Sequence, residues 1–330
     1  MNSASVMFWK FSPQGRSEGP YHRSVDRRLY WRASLGRSLR RLAGGCVRAT
    51  GQGGYQCRRG HRADTATGRD APLAERPTTD LSAYDLYLRA LAIFFPITKE
   101  RIVGALGLLD QAIAIDRHYG PALSWAAFCH MTVVRDGWTA EPEKSRQKAV
   151  ELARQALEVG DNDPRILVHA ALVLAYLGED IEAMIGLVDR ALALNPSFAR
   201  GWFVSGLLRV WAGQPDLTIE HIETSLRLSP RERVGATLST MGMAYFFKQQ
   251  FDEAASKLIL AIQDHPGFPP SYRTLAACYA HMGRLDDARE TVARLRAIAP
   301  LQVSTDLPFR KLADRELLLS GLRLAAGEAA

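Results

Sequence analysis

Four prolines, Pro196, Pro230, Pro266 and Pro300, punctuate the second half of the chain at a spacing of about 34 residues. Each closes a segment of the same layout. After Pro196, Trp202, Gly206 and Arg209 share one helical stretch that Gly213 ends, and Thr218, Ser225 and Leu226 share a second. The next segment repeats this with Gly242 and Tyr245, then Ala254, Ala261 and Ile262. The one after has Tyr272, Leu275, Ala276 and Tyr279, a turn at Gly283, then Ala288. Upstream, Leu167, Ala171, Leu174 and Gly178 precede Met184, Ala191 and Leu192. Proline can begin a helix but cannot continue one, because it lacks the N–H and its ring strikes the preceding turn. It therefore resets the chain between helix pairs. Small residues at Gly206, Gly242, Ala171 and Ala276 mark where the two helices of a pair cross. Those at Ala191, Ser225, Ala254 and Ala288 let the second helix nest against the next unit. From Asp80 onward apolar residues recur at three and four, and strand-like alternation is almost absent, so the body is all-α.

This pattern resembles the tetratricopeptide repeat family, whose signature runs W-x-x-L-G-x-x-Y and then A, F, A and P. The resemblance implies a right-handed superhelical solenoid of helix pairs, with about six units over residues 82–300. Two early units are degenerate. One uses Ala105, Ala112 and Ile113 and has Arg117 at the proline position. The other uses Leu123, Ala127, Ala149, Ala156 and Leu157 and has Asp161 there, with "TVVRDGWTAEPEKS" as an insertion between its helices. Residues 301–330, with "DRELLLSGLRLAAG", read as a capping segment, since terminal units need a soluble outer face. The flanks "DLSAYDLYLRALAIFFPITKE" and "LPFRKLADRELLLSGLRLAAG", and the central "YLGEDIEAMIGLVDRALALNPSFARGW", are similar to the repeat region of certain bacterial multidomain regulators. In those, the repeats follow a class III adenylate or guanylate cyclase domain or a winged-helix DNA-binding domain.

Charge is unevenly distributed. Residues 1–72 hold 13 Arg and one Lys against four acids, so the +7 of the whole chain conceals a mildly acidic body. Nucleic-acid binding is therefore not expected of the body. The same 72 residues contain ten Gly but only nine Leu, Ile, Val or Phe, too little apolar surface to offset backbone ordering. They read as a disordered Arg-rich tail, with 73–81 as linker, and an extension translated from a misplaced start codon would have this composition. Val25, Leu29, Leu39 and Leu42 align as one face of a basic amphipathic helix, the kind that touches anionic membranes or nucleic acid. An organelle presequence is a further alternative, against which Glu18 and Asp26 count. No run approaches 18 apolar residues, so no membrane span is expected, and a cytoplasmic location follows as the expectation.

Catalytic signals are missing. Cyclase domains resemble one another in an Asn followed four residues later by Arg, and in two Asp that hold Mg²⁺. Here the three asparagines, Asn2, Asn162 and Asn195, are followed at that spacing by Val6, Ile166 and Ala199. "GQGGYQ" lacks the strand, helix and Lys-Ser/Thr of a phosphate loop. Cys46, Cys57 and His61 lack a fourth zinc ligand, Cys129 and Cys278 stand apart, and His130, His169 and His281 have no partner at metal spacing. No enzyme, cofactor or metal is expected. The expected function is a protein-interaction module, with a cyclase's regulatory subunit or remnant, and a tail-mediated nucleic-acid regulator, as alternatives.

In a right-handed stack the first helices line the concave face. That register places Tyr176, Phe203, Leu207, Trp211, Met243, Phe246, Phe247 and His281 toward the groove, with Arg200 and Arg273 near its edge. Trp211, Phe246 and Phe247 are the expected exposed anchors. An apolar, aromatic groove suits an amphipathic or apolar protein segment whose acidic flanks the arginines steer, with a cyclase or regulator domain among its candidate sources.

Overall fold

Asp80 starts the helical body: its carboxylate accepts the backbone N–H of Ser82 (2.8 Å) and of Ala83, and helix α1 (Leu81–Phe94) follows. Leu81, assigned from sequence to the linker, is thus the first helical residue. The computed structural model describes residues 80–231, 234–299 and 308–327. The Arg-rich tail and residues 73–79 of the linker lie outside the described residues, as do Pro300, 301–307 and 328–330 of the expected end segments.

Among the described residues twelve helices follow α1: α2 (Lys99–Ile115), α3 (Gly120–Arg135), α4 (Pro142–Val159), α5 (Pro164–Tyr176), α6 (Ile181–Leu194), α7 (Ala199–Trp211), α8 (Pro215–Leu228), α9 (Val234–Phe247), α10 (Phe251–Asp264), α11 (Pro269–His281), α12 (Leu285–Arg296) and α13 (Leu312–Ala326). They form six sequential pairs, α1–α2 to α11–α12, with α13 beyond. The architecture is an all-α solenoid of paired helices.

The two helices of a pair differ in what surrounds them. Helices α5 and α11 each bury ten of thirteen residues, whereas α4 and α12 bury four and α8 three. First helices therefore form the inner layer, covered by their partners and by neighbouring first helices. Second helices form the outer layer and expose one face. The turn between them has a shared device. The backbone turns left-handed at Gly137, Gly178, Gly213 and Gly283, where φ lies between 69° and 98°. The fifth pair places Gln249 there at φ 57°, a conformation a side chain rarely adopts.

The crossing points are as tight as the small residues imply. A β-carbon on Gly206 would stand 2.9 Å from Ile222, and one on Gly242 would stand 2.6 Å from Leu258. Ser225 does more than stay small: its hydroxyl donates to the Ala199 carbonyl at 2.9 Å, pinning α8 to α7. The insertion expected in the second unit is shorter than the sequence suggests. "TVVR" completes α3 and "PEKS" starts α4, leaving 136–141 as the loop.

The stack winds far enough for distant units to touch. Arg135, at the end of α3, lies over the Phe268 ring before α11, at 5.5 Å. Trp138 Nε1 donates to the Ile298 carbonyl beyond α12 at 3.4 Å. The C-terminal segment then crosses back. Arg310 N–H donates to the Trp211 carbonyl (2.8 Å), Lys311 Nζ to the Gly213 carbonyl (2.6 Å), and Arg310 pairs with Glu182 (2.6 Å). Helix α13 packs on α11 and α12, and Gly321 permits the close approach to Ala277.

Candidate functional site

Winding the inner helices around a common interior leaves a cavity of about 730 Å³. Its wall draws on each first helix from α3 to α11: Phe128 and Met131 from α3, Leu172 and Tyr176 from α5, Phe203, Leu207 and Trp211 from α7, Met243 from α9, and Arg273 from α11. Phe95 and Phe268 come from loops, and Phe309 from the returning C-terminal segment. Phe309 packs edge-on to Phe247 (5.0 Å between ring centroids), so the chain's own end closes part of the concave face.

Of the ten residues singled out from sequence, Tyr176, Arg200, Phe203, Leu207, Trp211, Met243 and Arg273 lie together on this wall. Phe246, Phe247 and His281 do not. Phe246 is fully buried in the core against Phe247, Phe251 and His281, so it is no exposed anchor. His281 is committed to α13, with Nε2 2.7 Å from the Leu317 carbonyl. Phe247 is half-buried under Phe309. Trp211 is on the wall but buried, 7% exposed, beside Tyr176. These aromatics brace the interior. Among the apolar residues singled out from sequence, those partly exposed on this wall are Leu207, Met243 and Tyr176.

The sequence points to Arg200 and Arg273 beside the groove, but not to Arg135, Arg146 or the carboxylates. Four guanidinium groups line the cavity, those of Arg135, Arg146, Arg200 and Arg273, with one carboxylate, Asp264, whose Oδ2 accepts the Gly235 N–H at 2.7 Å. Behind the wall Asp136 is fully buried. Arg135 grips it with both donors of one edge, Nε to Oδ1 at 3.1 Å and Nη2 to Oδ2 at 2.6 Å. Burial works against the Arg135 charge, but Asp136 more than offsets that and holds its pKa above the ordinary value.

Arg273 approaches the same carboxylate from the far side, with Nη1 3.6 Å from Asp136 Oδ1. It does not sit at the groove's edge as the register implied, since its side chain is 13% exposed. Burial holds its pKa below the ordinary value, with Asp136 opposing, yet a guanidinium remains charged at any ordinary pH. Its Nε and Nη2 are buried without a hydrogen-bond partner. Arg200 lies over the rings of Phe203 (4.9 Å) and Phe128 (5.6 Å). Burial pushes the Tyr176 hydroxyl's pKa up, with Arg135 opposing.

The signal for the buried ion cluster was present in sequence as "RD" at 135–136, but it stood in the stretch read as an insertion. Among the described residues no group of three His, Cys, Asp or Glu stands close enough to hold a metal. No described helix is long and apolar enough to cross a membrane.

Comparison with known proteins gives the same picture of the fold. A family model described as tetratricopeptide repeat matches residues 248–304. The structure of the human IFIT1 dimer with m7Gppp-AAAA is 16% identical, covering 66% of this chain and 51% of that one, with a TM-score of 0.57. The present chain thus spans about half of IFIT1. A tetratricopeptide repeat protein from Parabacteroides merdae is 16% identical over 75% of this chain and 88% of that one, with a TM-score of 0.44. The protein TTC0263 from Thermus thermophilus is 18% identical over 56% and 92%, with a TM-score of 0.44. No curated protein matches the chain.

Proposed function

We propose that this tetratricopeptide-repeat chain is a non-catalytic interaction module that holds a short apolar segment of a partner protein against its concave cavity. The supporting observation is the continuous wall built by five successive first helices, apolar and aromatic in its body and cationic in four places. Helix packing alone does not call for such a wall, because a stack that only needed stability would fill it with side chains.

The partner presents an apolar stretch, helical or extended, to this wall. Acidic residues flanking that segment meet Arg146 and Arg200.

A regulatory role, a cytoplasmic setting, and kinship with cyclase-linked or winged-helix regulators belong to the same proposal, and only the sequence motifs given above support them. The alternative of nucleic-acid binding rests on residues 1–72, outside the described residues.

Capture experiments with the full chain as bait test the proposal. Leu207→Asp with Met243→Asp places two carboxylates on the half-exposed wall. The account expects these changes to abolish partner capture while the helical circular dichroism persists. Retention of every captured protein by the folded double variant removes the cavity from the interaction.

A further inference from the structure

The C-terminal segment sits on the end of α7 as a bound peptide sits on its receptor. Residues 308–311 make the contacts. Pro308 and Phe309 help to line the cavity, and the Phe309 ring packs edge-on to Phe247. The Arg310 N–H donates to the Trp211 carbonyl at 2.8 Å, and its guanidinium pairs with Glu182 in the first turn of α6. Lys311 Nζ donates to the Gly213 carbonyl at 2.6 Å. Trp211 is the last residue of α7, and the final carbonyls of a helix have no partner within it. The negative end of the helix dipole favours cations there.

Lys311 serves this contact at the expense of its own helix. It stands at the N-cap of α13, where Ser, Thr, Asp or Asn would accept a backbone N–H, and it makes no side-chain cap. A cation at a helix N-terminus also opposes the dipole. Local rules are broken in this way where a residue serves a function. The contacts are separable from those of the cap. Leu312, the next residue, is exposed. Helix α13 keeps its own anchors on α11, with Gly321 against Ala277 and the Leu317 carbonyl 2.7 Å from His281 Nε2. Arg310 and Glu182 are both more than half exposed, and such pairs contribute little to stability.

We infer that residues 308–311 are an internal ligand, and that the end of α7 with Glu182 and Phe247 is a docking site for a partner segment in which an aromatic residue precedes two basic ones. The inference rests on the reading that a partner protein enters the concave face, and it names the chemistry of one end of that partner. The tethered segment competes at an effective concentration of about 1 mM. A free segment of the same pattern therefore does not displace it alone. A partner that also lays an apolar stretch on Leu207 and Met243 does, so the latch rejects proteins that match only one of the two sites.

The test is fluorescence anisotropy with the full chain and a dye-tagged peptide, "PFRKLADR", copied from residues 308–315. Phe309→Ala with Lys311→Ala disables the chain's own segment. This double variant binds the peptide at least about tenfold more tightly than the parent does, because the tethered competitor is gone. Arg310→Glu, a single exposed change, turns attraction to Glu182 into repulsion and tightens binding at least about threefold. A peptide with alanine for its phenylalanine binds the double variant at least about tenfold more weakly. Adding Glu182→Arg to the double variant reverses the charge preference, so that "PFEKLADR" now binds better than the original. Circular dichroism checks folding, and if the double variant unfolds Arg310→Glu alone decides. Equal binding by the parent and the folded variants, no binding by the variants, or a charge preference that ignores Glu182→Arg overturns the inference. Peptide binding as expected, with partner capture untouched by Leu207→Asp and Met243→Asp, counts against the cavity reading and leaves the internal ligand standing. Capture abolished by those changes, with no peptide binding, removes the internal ligand alone.

Discussion

Gly206 and Gly186 offer the same substitution with opposite outcomes. Each stands inside a helix, Gly206 in α7 and Gly186 in α6. Alanine in a helix interior is favoured over glycine by about 0.5–1 kcal/mol, because glycine loses more backbone freedom on folding. At Gly186 a β-carbon meets nothing within 4 Å, so Gly186→Ala should gain that full amount. At Gly206 the same carbon would stand 2.9 Å from Ile222 Cγ1 and 3.2 Å from the Thr218 carbonyl. Neither neighbour yields easily. Ile222 is fully buried, and the Thr218 hydroxyl ties the two helices together by donating to the Gly206 carbonyl at 3.1 Å. Overpacking costs about 1–3 kcal/mol, so the net effect of Gly206→Ala is a loss of roughly 0.5–2 kcal/mol. The two variants should then differ by about 1–3 kcal/mol, and Gly206→Leu should fall further still. Urea unfolding followed by circular dichroism measures the midpoints, with stabilities compared pairwise because repeat stacks need not unfold in one step. If Gly206→Ala proves as stable as Gly186→Ala, α7 and α8 do not cross at this point and the register of the fourth pair is wrong.

Other consequences concern the buried groups. Burial lowers the pKa of His130, His221 and His265 below 6.5, with nearby charges modifying each. The unfolded chain therefore binds more protons than the folded one as pH falls below about 6.5, so stability is flat above that value and declines beneath it. Urea midpoints at about pH 7.5 and about pH 5.5 check this, and a rise on acidification contradicts it. Cys129 is fully buried, with its thiol pKa pushed well up by burial, and Cys278 is pushed up to about 12 by burial while its Sγ donates to the Phe251 carbonyl. Iodoacetamide at about pH 8 should leave both unlabelled in the folded protein and label both in urea, as peptide masses will show. Native labelling of either places that cysteine outside the core.

What was legible in the sequence is what each unit decides for itself. Ala171, Ala191, Ala254, Ala276 and Ala288 were singled out as contact points, and all are fully buried. Their spacing follows from one helix crossing another, an event confined to about 34 residues. The groove was legible only in part. Seven of its ten expected residues do share a wall, because a first helix always turns the same face inward. Phe246 escaped the reading because adjacent positions on a helix differ by 100°, so a small error in register exchanges core for groove. Arg273 was legible as a groove residue, but its meeting with Arg135 and Asp136 was beyond reach. They meet through the accumulated twist of the intervening pairs, and no single unit encodes that sum. The return of Phe309 and Lys311 to α7 is equally non-local.

Site-specific photocrosslinking tests the central claim most directly. A benzophenone side chain at Leu207, on the cavity wall, is compared with one at Leu228, 40% exposed on the outer α8. The account requires partner adducts from position 207, their disappearance when Met243→Asp is added, and none from position 228. Adducts from 228 with none from 207 would show that the convex surface, and not the interior, is where this chain meets other proteins.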